Sequence, residues 1–329
     1  MSRFIFRNPF LLAFSVILGT GAGKVSAQRS DNVFTSDIAH FWTAFDSVQA
    51  TQDAERQVGI MQVLYIDKGT AGLKRFMQLR NFDARKLVET IRKYPKFWAS
   101  IRPNTMQVQP QVPVIQQYIE KFRELYPELR PANMYFSITA IRAAGVAIDS
   151  TALIGTEITM GNKYTDVSEF PDKRLANFFQ SKETNNIIPV SVHEYVHTQQ
   201  STEGKSLLGQ CIYEGACDFV TELVIGEPLT HSYILYGNKH LPELKAQFQK
   251  EMYSEDYSNW LYNGNKVAVG DLGYFMGYAI SKAYYEQAKD KKKALREIIS
   301  LNYADMKAVT GFLNTSGFYG DSVFLLGGH

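Results

Sequence analysis

Cysteine is scarce in this sequence of 329 residues, which has only Cys211 and Cys217. Two cysteines exclude the disulfide framework of a small secreted scaffold. If both lie on one helix, their Cα atoms are ~9 Å apart, which is beyond the ~7 Å limit for a disulfide. We therefore expect two free, buried thiols if this segment is helical.

The sequence also lacks a long hydrophobic run and an excess of charge of either sign. Its apolar stretch at residues 9–18 is about half the ~20 residues that a membrane-spanning helix needs. With Arg3 and Arg7 before it and small residues at 25–27 after it, this stretch is typical of a cleaved secretory signal peptide. An uncleaved membrane anchor is the alternative.

Cleavage of the signal would also remove the slight positive charge of the chain. Residues 1–27 hold three basic residues and no acid, so the formal net charge would change from +2 to −1. A chain with this balance has no electrostatic reason to bind nucleic acid. The remaining composition, with 45% apolar and 21% charged residues, is that of a globular protein with a sizeable core.

Two kinds of periodicity divide the rest of the sequence, which has no internal repeat. Apolar residues recur at helical spacing over residues 36–130. Over residues 131–161 they alternate with polar residues, which predicts three short strands with a turn at Asp149 and Ser150. Residues 162–184 are polar and predict a loop. Helical spacing then returns in four stretches, at about 186–201, 207–225, 271–290 and 292–313.

The stretch VSVHEYVHTQQ contains the strongest functional signal. His193 and His197 are four positions apart, so on a helix their Cβ atoms lie about 5–6 Å apart on one face. Both rings can then bind one zinc ion through bonds of ~2.0–2.1 Å. Glu194 lies beside the first ring and is predicted to act as a general base on a water molecule at the metal. The alternative is a surface helix with two titratable rings, for which no third ligand should lie nearby.

A third ligand is available in the stretch CIYEGACDFVTEL. Glu214 lies on an otherwise apolar helix, which a turn at residues 201–204 would fold back beside the first helix. Because acids that face a core are costly without a charge partner, we predict Glu214 as the third zinc ligand. Asp218, one turn later, is predicted to accept the second ring N–H of a ligand histidine. Glu222 is predicted to be a structural or surface acid, and a fully solvated acidic face is the alternative.

A hydrogen-bond donor to a reacting carbonyl oxygen would complete such a site. Tyr274 and Tyr278, one helical turn apart in DLGYFMGYAI, are the candidates. His231 is the rival candidate, and a role in the core is the alternative for either tyrosine.

The arrangement over residues 186–225 resembles the gluzincin metallopeptidases, in which a His-Glu-x-x-His helix precedes a helix with a glutamate ligand. A wider resemblance covers most of residues 36–317. It is to an uncharacterised bacterial family of predicted zinc-dependent proteases, related to gliding-motility lipoproteins of Bacteroidetes. The segments that carry it are MYFSITA…ALIGTEITMG, HEYVHTQQ, YEGACDFVTEL and DLGYFMGYAISKAYYE.

This resemblance implies an exported bacterial zinc peptidase, periplasmic or secreted, that acts on a peptide or protein substrate. It also implies that the strand TALIGTEIT is an edge strand that pairs with extended substrate. The chain departs from the lipoproteins because no cysteine follows its predicted signal, so we expect no lipid anchor and no transmembrane segment in the mature chain. Relatives can lack the zinc ligands, whereas His193, Glu194, His197 and Glu214 are all present here.

We therefore predict an α+β, predominantly helical fold, zincin-like, with a small sheet before the motif helix. The predicted function is zinc-dependent peptide hydrolysis. The alternatives are a catalytically silent envelope protein with a structural zinc, a zinc hydrolase of a non-peptide substrate, and a helical interaction module. The predicted regions are a signal peptide (1–27), a short linker (28–35), a helical N-terminal region (36–130), a catalytic region (131–317) that packs with it as one unit, and an irregular tail (318–329).

Overall fold

A computed structural model describes residues 32–171, 173–264 and 266–320 of the chain. The predicted signal peptide at 1–27, half of the linker and most of the tail lie outside the described residues. The described residues pack as one compact unit.

The N-terminal part of this unit is helical, as the apolar periodicity predicts. Asp53, Thr70 and Asp83 each accept a backbone N–H of the helix that follows them, which fixes where three of the helices begin. The helices are α1 (Ser36–Gln49), α2 (Ala54–Met61, continued by a π-helical segment Gln62–Ile66), α3 (Ala71–Arg80), α4 (Ala84–Lys93), α5 (Pro95–Thr105) and α6 (Val108–Leu125).

A four-stranded sheet follows, in the order β1-β2-β4-β3. Strands β1, β2 and β4 are parallel, and β3 is antiparallel to β4 at one edge. Strand β1 lies inside the segment predicted as a linker and is an addition to the predicted strands. The strands are β1 (Asn32–Phe34), β2 (Asn133–Ser137), β3 (Gly145–Ile148) and β4 (Thr151–Gly155).

The order of the strands corrects one expectation. The segment TALIGTEIT was predicted to be an edge strand, but β4 pairs with β2 on one side and with β3 on the other. Its last residues, Thr156–Thr159, turn into the short helix α7. The edge of the sheet on this side is therefore formed by β3.

Eight further helices complete the fold. The prediction of a loop over residues 162–184 is wrong in part because α8 lies within it, and the stretch 292–313 forms two helices instead of one. The helices are α8 (Lys173–Gln180), α9 (Ile187–His197), α10 (Leu207–Ile225), α11 (Ser232–Lys239), α12 (Leu241–Glu251), α13 (Leu272–Gln287), α14 (Lys291–Ser300) and α15 (Met306–Thr315). The predominantly helical α+β class is thus confirmed, and no helix in the described part of the chain is long and apolar enough to cross a membrane.

Helices α10 and α13 pack with their backbones in direct contact. A Cβ atom added to Gly277 would lie 1.6 Å from the carbonyl oxygen of Cys211, and one added to Gly215 would lie 2.0 Å from the backbone nitrogen of Tyr278. Glycine at both positions therefore allows the close crossing that buries α10. Cys211 and Cys217 are both buried on α10 and both free, which confirms the expectation from their spacing.

Candidate metal centre and cleft

Helix α9 carries the two motif histidines and Glu194. Its apolar side is fixed in the core, where Val192, Tyr195 and Val196 are almost fully buried. Carbonyl oxygens just after its C-terminal end have a hydrogen-bond partner in Arg130, which donates to those of Thr198 and Gln199. The opposite side of α9 therefore presents the histidines to a cleft in a fixed orientation.

Three side-chain donors converge at this side of α9. The Nε2 atoms of His193 and His197 are 3.1 Å apart, and Glu214 Oε2 lies 3.1 Å from Nε2 of His197 and 3.6 Å from Nε2 of His193. A zinc ion with tetrahedral bonds of ~2.0–2.1 Å holds its ligand atoms roughly 3.3 Å apart. The spacing of the three donors matches that requirement.

The other nitrogen of each ring is held by a hydrogen-bond partner. His193 Nδ1 lies 2.8 Å from Asp218 Oδ1, and the second oxygen of Asp218 accepts from the hydroxyl of Tyr233. His197 Nδ1 lies 2.7 Å from Oε1 of Gln200. A proton on each Nδ1 leaves the Nε2 lone pairs free to bind a cation.

The electrostatics of the centre favour a cation. Burial by itself would raise the pKa of Glu214, but His197 and His193 lower it well below its usual value. Burial lowers the pKa of His193, but hydrogen bonds to Asp218 and Glu214 raise it well above its usual value. Glu214 is thus kept as a carboxylate beside two ring nitrogens, and a divalent cation would bind these lone pairs in competition with protons.

Cys217 offers a different third donor, since one donor atom from each of His193, His197 and Cys217 lie within 4.8 Å of one another. Its Sγ is 3.3 Å from His197 Nδ1, however, and that nitrogen is already bonded to Gln200. Burial raises the pKa of the Cys217 thiol, whereas metal binding requires a thiolate. The chain therefore has a buried group that can hold a metal ion. Glu214 is the better placed third donor, because it lies next to Nε2 of His197, whereas Cys217 lies next to Nδ1.

The donors open on a cleft of about 1140 Å³. One wall is strand β3 with the turn after it, and the other includes Tyr213, Tyr262 and Tyr274. Glu194 lines the cleft, although only 8% of it is exposed, and its Oε2 has no hydrogen-bond partner among the described residues. Burial raises the pKa of Glu194. A buried carboxylate oxygen without a partner, next to three converging donors, is suited to accept a proton from a molecule in the cleft.

The structure places one of the two candidate tyrosines in the cleft and the other outside its lining. Tyr274 lines the cleft, with its ring stacked at 6.3 Å on His193. Tyr278 points elsewhere, since its hydroxyl donates to Glu222 and accepts from Lys282. The structure therefore does not bring Tyr278 to the donors, because it lies one turn farther along α13 than Tyr274 and contacts Glu222 of α10 instead of lining the cleft.

Two other histidines, His231 and His240, are not brought to the donors. His231 stacks on Tyr233 at 5.3 Å, and His240 stacks on Tyr236 at 4.2 Å. Neither lines the cleft. His231 is therefore a weaker candidate than Tyr274 for a contact with a bound molecule.

Several residues of the site were not identified from the sequence, among them Gln200 at His197, Gln210 at Glu214, Tyr233 at Asp218, and the cleft residues Gly145, Tyr213 and Tyr262. Gln200 has a local signal, because it follows His197 by three positions, about one helical turn. Gln210 has the same kind of local signal, because it precedes Glu214 by about one helical turn. Tyr262 and Gly145 reach the site from a distant loop and strand, and no spacing in the sequence links them to the motif.

A comparison with protein families gives one match. The family described as "Gliding motility protein GldB" matches residues 76–266, which is more than half of the chain and includes His193, Glu194, His197 and Glu214. No curated protein and no solved structure matches the chain. The chain therefore belongs to the family of the gliding motility protein GldB.

Proposed function

We propose that this protein is a zinc-dependent peptidase of the bacterial cell envelope, exported by its N-terminal signal. The observation that carries the proposal is the convergence of His193, His197 and Glu214 beside the unpartnered carboxylate of Glu194, at an open cleft. Structural zinc sites are closed by four protein ligands, whereas catalytic sites keep one position open. Three donors that face a cleft fit the second type.

In this proposal His193, His197 and Glu214 would hold the zinc ion, which would supply a Lewis acid and make water acidic enough to ionise near neutral pH. Glu194 accepts a proton from the attacking water and passes it to the leaving nitrogen of the substrate. The raised pKa of Glu194 suits both steps, since the group must take up and release a proton.

Two further groups act on the substrate. The hydroxyl of Tyr274 donates to the carbonyl oxygen as charge develops on it. Burial raises the pKa of Tyr274, so this hydroxyl remains a donor. Strand β3 forms the edge of the sheet and lines the cleft, so an extended peptide can pair with it by strand addition.

The decisive test is Glu194→Gln, which keeps the shape of the side chain and removes the base. We expect one zinc ion per chain in both forms by elemental analysis, and a loss of at least ~100-fold in peptide hydrolysis, measured on a mixed peptide library by mass spectrometry. Glu203→Gln is the matched control, because Glu203 also lines the cleft but contacts none of the three donors. His193→Ala should lose the metal.

A catalytically silent envelope protein with a structural metal is the second candidate. Membership of a family described by gliding motility, and not by hydrolysis, favours it. This candidate predicts a wild-type protein that binds zinc and cleaves no library peptide. A wild type that binds no metal would contradict both candidates.

A further inference from the structure

Tyr262 connects an exposed loop to the third donor of the metal centre. Its hydroxyl lies 3.0 Å from Glu214 Oε1 and accepts from the side-chain nitrogen of Gln210 at 3.0 Å. The residue is nevertheless 60% exposed. Hydrogen bonds, and not burial in the core, therefore hold the ring at the mouth of the cleft.

The backbone around Tyr262 is also unusual. Tyr262 and Asp271 both have left-handed backbone angles, with φ of 56° and 62°, which cost about 1–2 kcal/mol each in residues other than glycine. Asn263 closes the loop between them, because its Oδ1 accepts the backbone N–H of Asp271. Such strain persists only where the surrounding structure imposes it, and here it directs the tyrosine hydroxyl to Glu214.

The two oxygens of Glu214 have different partners as a result. Oε2 faces the Nε2 atoms of both histidines, whereas Oε1 accepts from Tyr262 and lies 3.4 Å from the amide nitrogen of Gln210. Without the Tyr262 hydroxyl, Oε1 keeps only the longer hydrogen bond from Gln210, and the carboxylate is freer to turn so that both of its oxygens approach a metal ion. The neighbours of Oε1 thus determine how Glu214 binds.

We infer that Tyr262 is a positioning residue that restricts Glu214 to binding the metal through one oxygen, and that the exposed loop thereby sets the metal affinity. The inference rests on the proposed function only for the presence of a metal at this centre. It concerns Gln210, Tyr262 and Glu214, and it requires no particular substrate.

The test is Tyr262→Phe, which removes a single hydroxyl from an exposed ring. We expect zinc to bind 10–100-fold more weakly in competition with a chromophoric chelator, which is the usual effect of removing a group that orients a ligand. The visible absorption of the cobalt-loaded protein should change as well, because a second Glu214 oxygen alters the coordination. Tyr164→Phe is the matched control, since Tyr164 is 77% exposed and lies outside the cleft.

The outcomes separate this inference from the proposed function. Equal zinc affinity and equal cobalt spectra in the wild type and Tyr262→Phe would overturn the inference and leave zinc hydrolysis intact. A wild type without zinc or cobalt binding would overturn both. The metal-free variant should melt at most a few degrees below the wild type, because it loses hydrogen bonds to the buried side chains of Glu214 and Gln210 but no packing in the core.

Discussion

The position of Glu194 depends on a glycine in the neighbouring strand. A Cβ atom on Gly145 would lie 2.4 Å from Glu194 Oε1, closer than any real contact. Gly145→Ala should therefore displace the carboxylate without touching the three metal donors. We expect unchanged zinc affinity and a fall of about 100-fold in peptide hydrolysis, which is the usual cost of a misplaced reacting group.

The control for this prediction is Gly59→Ala on α2, where an added Cβ meets nothing within 4 Å. That variant should hydrolyse peptides like the wild type. If Gly145→Ala kept full activity, Glu194 would not need its observed position, and its role as the base would be in doubt.

Lys182 gives a prediction for the effect of pH on stability. Its Nζ donates to Ile158 O and to Asn186 Oδ1, and burial lowers its pKa to about 7. The unfolded chain has the ordinary lysine pKa of about 10.4 and binds more protons between these values, so the free energy of unfolding rises with pH over this window.

Lys182→Met removes the titrating group. The difference between its free energy of unfolding and that of the wild type should favour the variant most below about pH 7. Its advantage should then shrink by up to about 1.4 kcal/mol per pH unit toward pH 10. Urea denaturation of both proteins across this range measures the difference. A difference that does not vary with pH would show that Lys182 stays charged in the folded state.

At the scale of single residues, the sequence predicts the parts of the site that are linked by helical spacing. His193 and His197 share one turn of α9, and Asp218 follows Glu214 by one turn of α10. The structure brings all four side chains together. Tyr278 could not be judged in the same way, because which of two turns of α13 faces the cleft depends on how that helix packs.

At the scale of secondary-structure elements, the close crossing of α10 and α13 makes a prediction about stability. Gly277→Ala would bring a Cβ atom to 1.6 Å from the carbonyl oxygen of Cys211, and backbone cannot yield as a flexible side chain does. We expect a loss of about 1–3 kcal/mol or more in the free energy of unfolding, as in other overpacked cores.

Gly311→Ala on α15 is the matched control for the helix crossing, because its Cβ would meet nothing within 4 Å. It should be neutral or should stabilise the protein by about 0.5–1 kcal/mol through helix propensity. Chemical denaturation of both variants compares them directly. Equal stability of the two variants would mean that α10 and α13 can separate at little cost.

Elements with strong local patterns are the ones that the sequence identifies. Helix α10 begins and ends at its predicted limits, where Ser206 accepts the backbone N–H of Gly209 and Gly226 has a left-handed backbone. Helix α9 begins next to Asn186 as predicted, although Asn186 makes no side-chain capping hydrogen bond, and it ends at His197, four residues before the predicted limit of 201. Strand β1 has three residues, and its pairing with β2 joins positions about a hundred residues apart, so no local pattern reveals it. The strand order also depends on pairing that no local pattern reveals, and it makes β3, instead of the predicted β4, the edge of the sheet.

At the scale of the whole molecule, the metal is predicted to contribute to stability. Its proposed donors come from two helices, so zinc would bind the folded chain and not the unfolded one. At a free zinc concentration of about 100 times the dissociation constant, binding adds about 2.7 kcal/mol to the free energy of unfolding.

Chelation by EDTA should therefore lower the melting temperature, and added zinc should restore it. Differential scanning fluorimetry of the wild type and His193→Ala measures the effect. The variant should show no response to EDTA, since it lacks one of the donors. An equal response in both proteins would place the bound metal at a different position.

The two free cysteines give this protein an internal reporter of opening. Both thiols are fully buried on α10, and Cys217 lies 3.3 Å from a ring nitrogen of His197. An alkylating reagent can reach them only when α10 separates from its neighbours. The rate of alkylation at each thiol therefore measures how often the centre of the molecule opens, and an oxidising surrounding leaves both sulfurs unmodified while it stays closed.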